Sequence, residues 1–251
     1  MNQLTLLHQP VVFAHRGSCA HAPENTLASF NLALQQQADA VELDAKLSAD
    51  GTVMVIHDQT VDRTTNGSGK VNQLSLAALK ELDAGAFFGE SFRGEKIPTL
   101  VEVFESVGGK IFINVELTNY ASAGDGLVDQ VCALVQKHGL QDGVMFSSFN
   151  PFNLMRARRL LPGVPCGMLT FEGASGALLR GLPGRWAAPQ ALHPYLSDVT
   201  PRLVAAEHAR RRRVHTWTVN AEADLRRMLD CKVDGIFTDD PPLARKLLGR
   251  Q

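Results

Sequence analysis

The chain has 251 residues, 45% of them hydrophobic and 20% charged, with a formal net charge of −1. This composition is that of a folded globular chain and excludes a disordered or collagen-like one. The near-neutral charge supplies no field that would gather nucleic acid or an acidic membrane surface, and nothing reaches the ~18 consecutive apolar residues of a membrane span.

The N-terminal stretch MNQLTLLHQP has neither the basic start nor the apolar length of a secretion signal. The four cysteines (Cys19, Cys132, Cys166, Cys231) are scattered with no C-x-x-C pair, which argues against a zinc knot and a disulfide scaffold and suits a reducing compartment. The expectation is a cytoplasmic protein without stable membrane association; its oligomeric state is left open.

In chain order, strand-like runs fall at 11–15 (VVFAH), 40–47 (AVELDAKL), 52–58 (TVMVIHD), 111–117 (IFINVEL), 144–149 (VMFSSF) and 165–170 (PCGMLT). Three more follow at 191–196 (ALHPYL), 213–219 (RVHTWTV) and 235–240 (GIFTDD). Most are rich in β-branched or aromatic residues and bounded by Gly, Pro or Asp. Between them lie stretches with apolar spacing near 3.6, such as ENTLASFNLALQQQ, DGLVDQVCALVQKHG and PFNLMRARRLL. Strand–helix repetition means a parallel sheet covered by helices. Taking 40–47 and 52–58 as one bent strand or a hairpin leaves about eight β/α units, and so a TIM (β/α)8 barrel of the α/β class. An open doubly wound sheet is disfavoured, because no glycine-rich dinucleotide motif follows the first strand.

Residues 59–98 break the rhythm with a turn-rich start and a short helical pattern. They read as a small insertion beside the mouth of a single catalytic barrel domain spanning 1–251. NGSGK lacks the spacing of a phosphate-binding P-loop. The basic run Arg210–Arg213 reads as a helix end, solvated or complementing the dipole, and not as a polyanion site.

In a parallel barrel, functional groups gather where strands end. Four successive strand segments here deliver ionisable residues near their exits: His15 and Arg16, Glu42 and Asp44, His57 and Asp58, then Glu116. Charged residues are seldom buried unless paired or bound to a cation, so the repetition points to a site. Glu42 and Asp44 share a strand face. With Glu116 they make a three-carboxylate set for a hard divalent ion, Mg²⁺ or Ca²⁺; the lack of a clustered His/Cys set disfavours zinc. The alternative is an ion pair with Lys46, on the same face by period two. His15 and His57 suit general acid and base work near neutral pH, and Arg16 carries a fork suited to phosphate oxygens. Together these point to phosphoryl chemistry.

The ordered motifs AHRG, APENT, VELDAKLSADG and VIHD, followed by NVEL, SSF, TWTVN and IFTDDP, resemble the glycerophosphodiester phosphodiesterases from residue 11 to about residue 242. The resemblance implies a TIM barrel with a small insertion after its second strand. It also implies hydrolysis of a small-molecule glycerophosphodiester to sn-glycerol 3-phosphate and an alcohol, with a cyclic phosphate as the expected intermediate. On this basis Glu42, Asp44 and Glu116 are the expected metal ligands, His15 and His57 the acid/base pair, and Arg16 a phosphate ligand with Glu24 supporting it. Trp217, Phe149 and His193 fall at strand ends as pocket candidates. Asp239 and Asp240 read as closing the barrel and capping the last helix. One departure stands out: where many members carry a lysine two residues after the third acid, this chain has Thr118. A phospholipase D-like lyase is disfavoured by the missing signal and cysteine framework, and a non-catalytic binding barrel by the presence of all five of His15, His57, Glu42, Asp44 and Glu116.

Overall fold

The computed structural model describes residues 2–120, 124–181, 187 and 189–250. Among the described residues nine strands form one sheet: β1 Val11–Ala14, β2 Ala40–Leu47, β3 Val53–Val55, β4 Phe112–Leu117, β5 Val144–Ser148, β6 Cys166–Thr170, β7 Ala191–Pro194, β8 Arg213–Thr216 and β9 Gly235–Thr238. Eight of them run parallel in the order β1-β9-β8-β7-β6-β5-β4-β2, and the pairing of β1 with β2 closes the barrel. The second and third strand-like runs form a hairpin. β3 lies antiparallel on β2, with Ala45 opposite Val55, and stays outside the barrel. This strand ends at Val55, so His57 and Asp58 sit in the chain leaving the hairpin.

Nine helices are described: α1 Leu27–Gln35, α2 Leu76–Glu81, α3 Leu100–Val107, α4 Leu127–Lys137, α5 Pro151–Leu160, α6 Gly173–Arg180, α7 Pro201–His208, α8 Glu222–Asp230 and α9 Pro241–Leu247. Their starts follow from local sequence. Thr26 caps α1 in a capping box with Ser29, and Thr99 caps α3 with Glu102. Pro follows the cap in α5, α7 and α9, where its missing N–H costs nothing. The basic run after α7 is tied down: Arg210 and Arg212 pair with Glu207, and Arg213 donates to the Leu4 carbonyl.

Period two sorts every strand into an outward and an inward row. Val41, Leu43, Ile113, Val115, Phe146 and Cys166 point outward into the layer beneath α1, α3, α4 and α5. The inward rows begin with an apolar plug of Val11, Phe13, Ala40, Phe112, Met145, Ala191 and Phe237, which Leu4 joins. Burial of large side chains there contributes ~1.5–3 kcal/mol each, enough for the plug to support polar residues above it. Residues 59–98 pack a separate satellite core in which Val61, Val71, Leu79 and Ile97 meet Met54 of the hairpin.

Candidate active site

Above the plug the inward rows turn polar. Asp44 and Glu116 are register partners across β2 and β4, Glu42 pairs with Asn114, and Ser147 follows Glu116 on β5. A cavity opens at this level. On one side His15, Arg16, Glu42, Asp44, His57 and Glu116 line it; Phe149, Leu169, Trp217 and Phe237 form the other. Six of the seven ionisable residues that the strand exits nominated are thus brought to one space; the seventh, Asp58, does not line it and contacts His57.

The loop after β1 is held in an unusual conformation. Arg16 has φ 54, a left-handed backbone that a side-chain-bearing residue seldom adopts, and its amide donates to Glu42 Oε2 at 2.9 Å. Its guanidinium donates from Nη1 to Glu24 Oε1 at 2.9 Å and places Nε 3.6 Å from Asp44 Oδ2. Glu24 does not line the cavity; it braces Arg16 from behind. Gly17, at φ 83, is required because a Cβ there would lie 2.3 Å from Ser29 Oγ. Its role is close packing on α1.

Carboxylate oxygens of Glu42, Asp44 and Glu116 all lie within 4.8 Å of one another. Burial, then Asp44 and Glu116, push the Glu42 carboxyl well above its ordinary range. Burial and Asp44 raise Glu116 to about 8. Asp44 is held low: Arg16, His57 and an Asn25 amide at 2.9 Å outweigh the cost of burial. Three carboxylates this close, Glu42 and Asp44 buried and Glu116 half-buried, take up protons or a cation, and hard oxygen donors fit Mg²⁺ or Ca²⁺. Tyr120 donates to Glu116 Oε1 at 2.7 Å and orients it.

Both histidines lean on carboxylates. His57 Nδ1 lies 2.7 Å from Asp58 Oδ1 and His15 Nδ1 lies 2.7 Å from Asp239 Oδ1. Asp58 is pulled to about 2 by its bonds to Arg63, despite partial burial, and by His57. Asp239 also falls to about 2, its bonds to His15, Cys19 and Asn220 overcoming burial. The capping role read for Asp239 and Asp240 divides between them. Asp240 caps α9 by accepting from the Leu243 amide, while Asp239 supports His15. Period two along Gly235–Phe237–Asp239 carries that signal, since Phe237 faces inward. Folding also assembles a His15–Cys19–Asp239 group that spacing does not reveal. Its contacts are hydrogen bonds: Cys19 donates to Asp239 at 3.1 Å, and burial followed by Asp239 keeps the thiol protonated.

The aromatic side joins Phe149, stacked on Phe171 at 4.2 Å, with the edge of Trp217. Trp217 turns its Nε1 back to the His193 carbonyl at 2.9 Å, so the indole meets the cavity with its apolar surface. His193 lies deeper. It is fully buried, does not line the cavity, and contacts His215 Nδ1 through Nε2 at 3.2 Å. Burial lowers it to about 3. Its place one layer below the strand end makes it part of the packed interior. Thr118 does not reach the cavity either. Its hydroxyl donates to the Ala45 carbonyl and accepts from Lys46 Nζ at 2.7 Å. Lys46 therefore rests on Thr118, within the field of Asp44 and Glu116 but hydrogen-bonded to neither.

Known proteins are similar to this chain in sequence and fold. The Glycerophosphoryl diester phosphodiesterase family is matched by residues 15–243. A glycerophosphodiester phosphodiesterase of Caldanaerobacter subterraneus subsp. tengcongensis is 40% identical over 92% of this chain and 94% of its own. An Oleispira antarctica phosphodiesterase, solved in complex with the product sn-glycerol-3-phosphate, superposes with a TM-score of 0.89 at 32% identity, covering 99% of this chain and 100% of that one. A putative glycerophosphoryl diester phosphodiesterase from Silicibacter pomeroyi gives a TM-score of 0.84 at 28% identity over 98% and 96%.

Proposed function

The chain belongs to the Glycerophosphoryl diester phosphodiesterase family, and from that premise we propose that it hydrolyses a glycerophosphodiester to sn-glycerol 3-phosphate and a free alcohol. The observation that carries this reading is the convergence of Arg16, two histidines and three carboxylates on one cavity.

Arg16 binds a phosphate oxygen through its planar fork. One of His15 and His57 takes the proton of the glycerol 2-hydroxyl as that oxygen attacks phosphorus. The other protonates the alcohol oxygen as its bond to phosphorus breaks. With Nδ1 of each ring directed at a carboxylate, Nε2 is the atom left to exchange protons. Water then attacks phosphorus and gives a proton to the histidine that had protonated the alcohol, the ring bond to O2 breaks, and O2 regains its proton from the other histidine. Attack by a hydroxyl already on the substrate is effectively unimolecular, which favours it over direct attack by water. A divalent cation on Glu42, Asp44 and Glu116, Mg²⁺ or Ca²⁺, would neutralise phosphate charge beside these acids.

We read residues 1–251 as a single catalytic domain with 59–98 as its cap. Free cysteines support a cytoplasmic setting, and among the described residues no helix is long and apolar enough to cross a membrane. The test is phosphorus NMR of the reaction with glycerophosphocholine, with and without chelator. Glycerol 3-phosphate and a transient cyclic phosphate are expected, with a 2-deoxy substrate inert. Equal cleavage of that substrate with no cyclic species overturns internal attack; full activity in chelator overturns the cation; no release from any glycerophosphodiester overturns the activity.

A further inference from the structure

Arg63 lies outside the barrel, in the turn that follows the β2–β3 hairpin, and does not line the cavity. Its guanidinium holds two carboxylates at once. Nε and Nη2 donate to Asp58 Oδ2 and Oδ1 at 2.7 and 3.1 Å; Nη1 and Nη2 donate to Glu24 Oε2 and Oε1 at 2.7 and 2.8 Å. Asp58 in turn holds His57, and Glu24 holds Arg16. A continuous chain therefore runs His57–Asp58–Arg63–Glu24–Arg16, and its centre belongs to the 59–98 segment.

The backbone that carries Arg63 is fixed from both sides. Val61 is fully buried in the satellite core and its amide donates to the Gly69 carbonyl at 3.0 Å. Thr64 and Thr65 are buried, and Thr65 Oγ1 donates to the Val61 carbonyl at 2.7 Å. The side chain itself is 46% exposed. Ion pairs at that exposure add little to stability, typically ~0–1 kcal/mol. Only a planar fork can grip two carboxylates in this way, and an ammonium cannot. Such geometry sets direction more than it adds stability.

We infer that Arg63 is a positioning residue that couples the insertion to the site, aligning His57 through Asp58 and Arg16 through Glu24. This rests on the roles given to His57 and Arg16 under Proposed function. The 59–98 segment thereby acquires a role in the site, because the satellite core fixes Arg63 and Arg63 fixes two groups on separate loops.

The test compares Arg63→Ala, Arg63→Lys, Glu24→Gln and Asp58→Asn with the parent protein on glycerophosphocholine. Glu24→Gln falls mainly on KM and Asp58→Asn mainly on kcat. Arg63→Ala moves both, for about a 100-fold loss in kcat/KM, the scale of a small misplacement of reacting groups. Its melting temperature stays close to the parent's, millimolar guanidinium restores part of the activity, and Arg63→Lys recovers less than added guanidinium does. A loss of folded protein alone would lower kcat and leave KM and guanidinium response unmoved. A folded Arg63→Ala protein within about twofold of the parent, or one whose KM is unmoved and which guanidinium does not restore, overturns the inference. If Arg63→Ala does not fold, the KM and kcat of Arg63→Lys decide, parental values overturning it. A parent protein inactive on every glycerophosphodiester would instead overturn the reading of the site itself.

Discussion

Asp239 Oδ1 lies 2.7 Å from His15 Nδ1, joining the exit of the last barrel strand to the exit of the first. The contact selects the tautomer with the proton on Nδ1 and leaves Nε2 to the cavity. Asn220 fixes the other carboxylate oxygen at 2.6 Å. Asp239→Ala should lower kcat about 100-fold, the lower end of what a positioned acid or base contributes, with a KM change under about threefold. Steady-state kinetics on glycerophosphocholine checks this; an unchanged kcat would show that His15 needs no such support.

The same carboxylate gives a pH dependence. Its folded pKa, about 2, lies below the 3.8 of a free aspartate. A depressed acid stabilises the folded state above its unfolded pKa, and that contribution is lost as pH falls through 3.8 toward 2. The parent should therefore melt above Asp239→Asn near pH 6, and the gap should close as pH drops to about 2. A gap that stayed constant across about pH 6 to about pH 2 would mean that the carboxylate charge contributes nothing.

Removal of the cation should be felt in stability as well as in activity. Glu42, Asp44 and Glu116 repel one another when ionised, and a ligand that binds only the folded state adds about 2.7 kcal/mol at a hundred times its Kd. Mg²⁺ or Ca²⁺ added to chelator-treated protein should raise its melting temperature, and Glu116→Gln should blunt the response. Calorimetry with and without each ion measures it.

Lys46 should act on substrate binding through its field alone, because it lies outside the cavity and donates to Thr118. Lys46→Met should raise KM by less than about tenfold, since through-space effects at such a distance are ~1 kcal/mol or less once screened. Arg16→Ala should raise it far more. Similar KM values for the two variants would mean that Lys46 touches the phosphate.

Gly167 makes room for the buried histidine pair. A Cβ at this position would stand 2.2 Å from His193 Nε2, in a place with no solvent to yield. Gly167→Ala should cost about 1–3 kcal/mol, as overpacking does, and His193→Ala in the same chain should recover part of that. Urea denaturation of the two variants and their combination tests the pairing.

The sequence by itself determined the barrel and most of the site. Alternating strand and helix periods leave few ways to bury both faces of a parallel sheet. The polar residues at strand exits are visible because they interrupt runs that are otherwise apolar. Glu42, Asp44 and Glu116 could be placed on the inward face by counting in twos. Counting in twos does not give depth: His193 and Trp217 both fall near strand ends, yet one is sealed in the interior and the other meets the cavity. Depth depends on how neighbouring strands are staggered when the barrel closes, which is a property of all eight together. The partnerships were decided there too. His15 meets Asp239 from 224 positions away, Arg63 reaches back 39 positions to Glu24, and Lys46 settles on Thr118 from the neighbouring strand. A carboxylate just past a strand caps a helix or holds a histidine according to what closure sets beside it, and no local pattern carries that information.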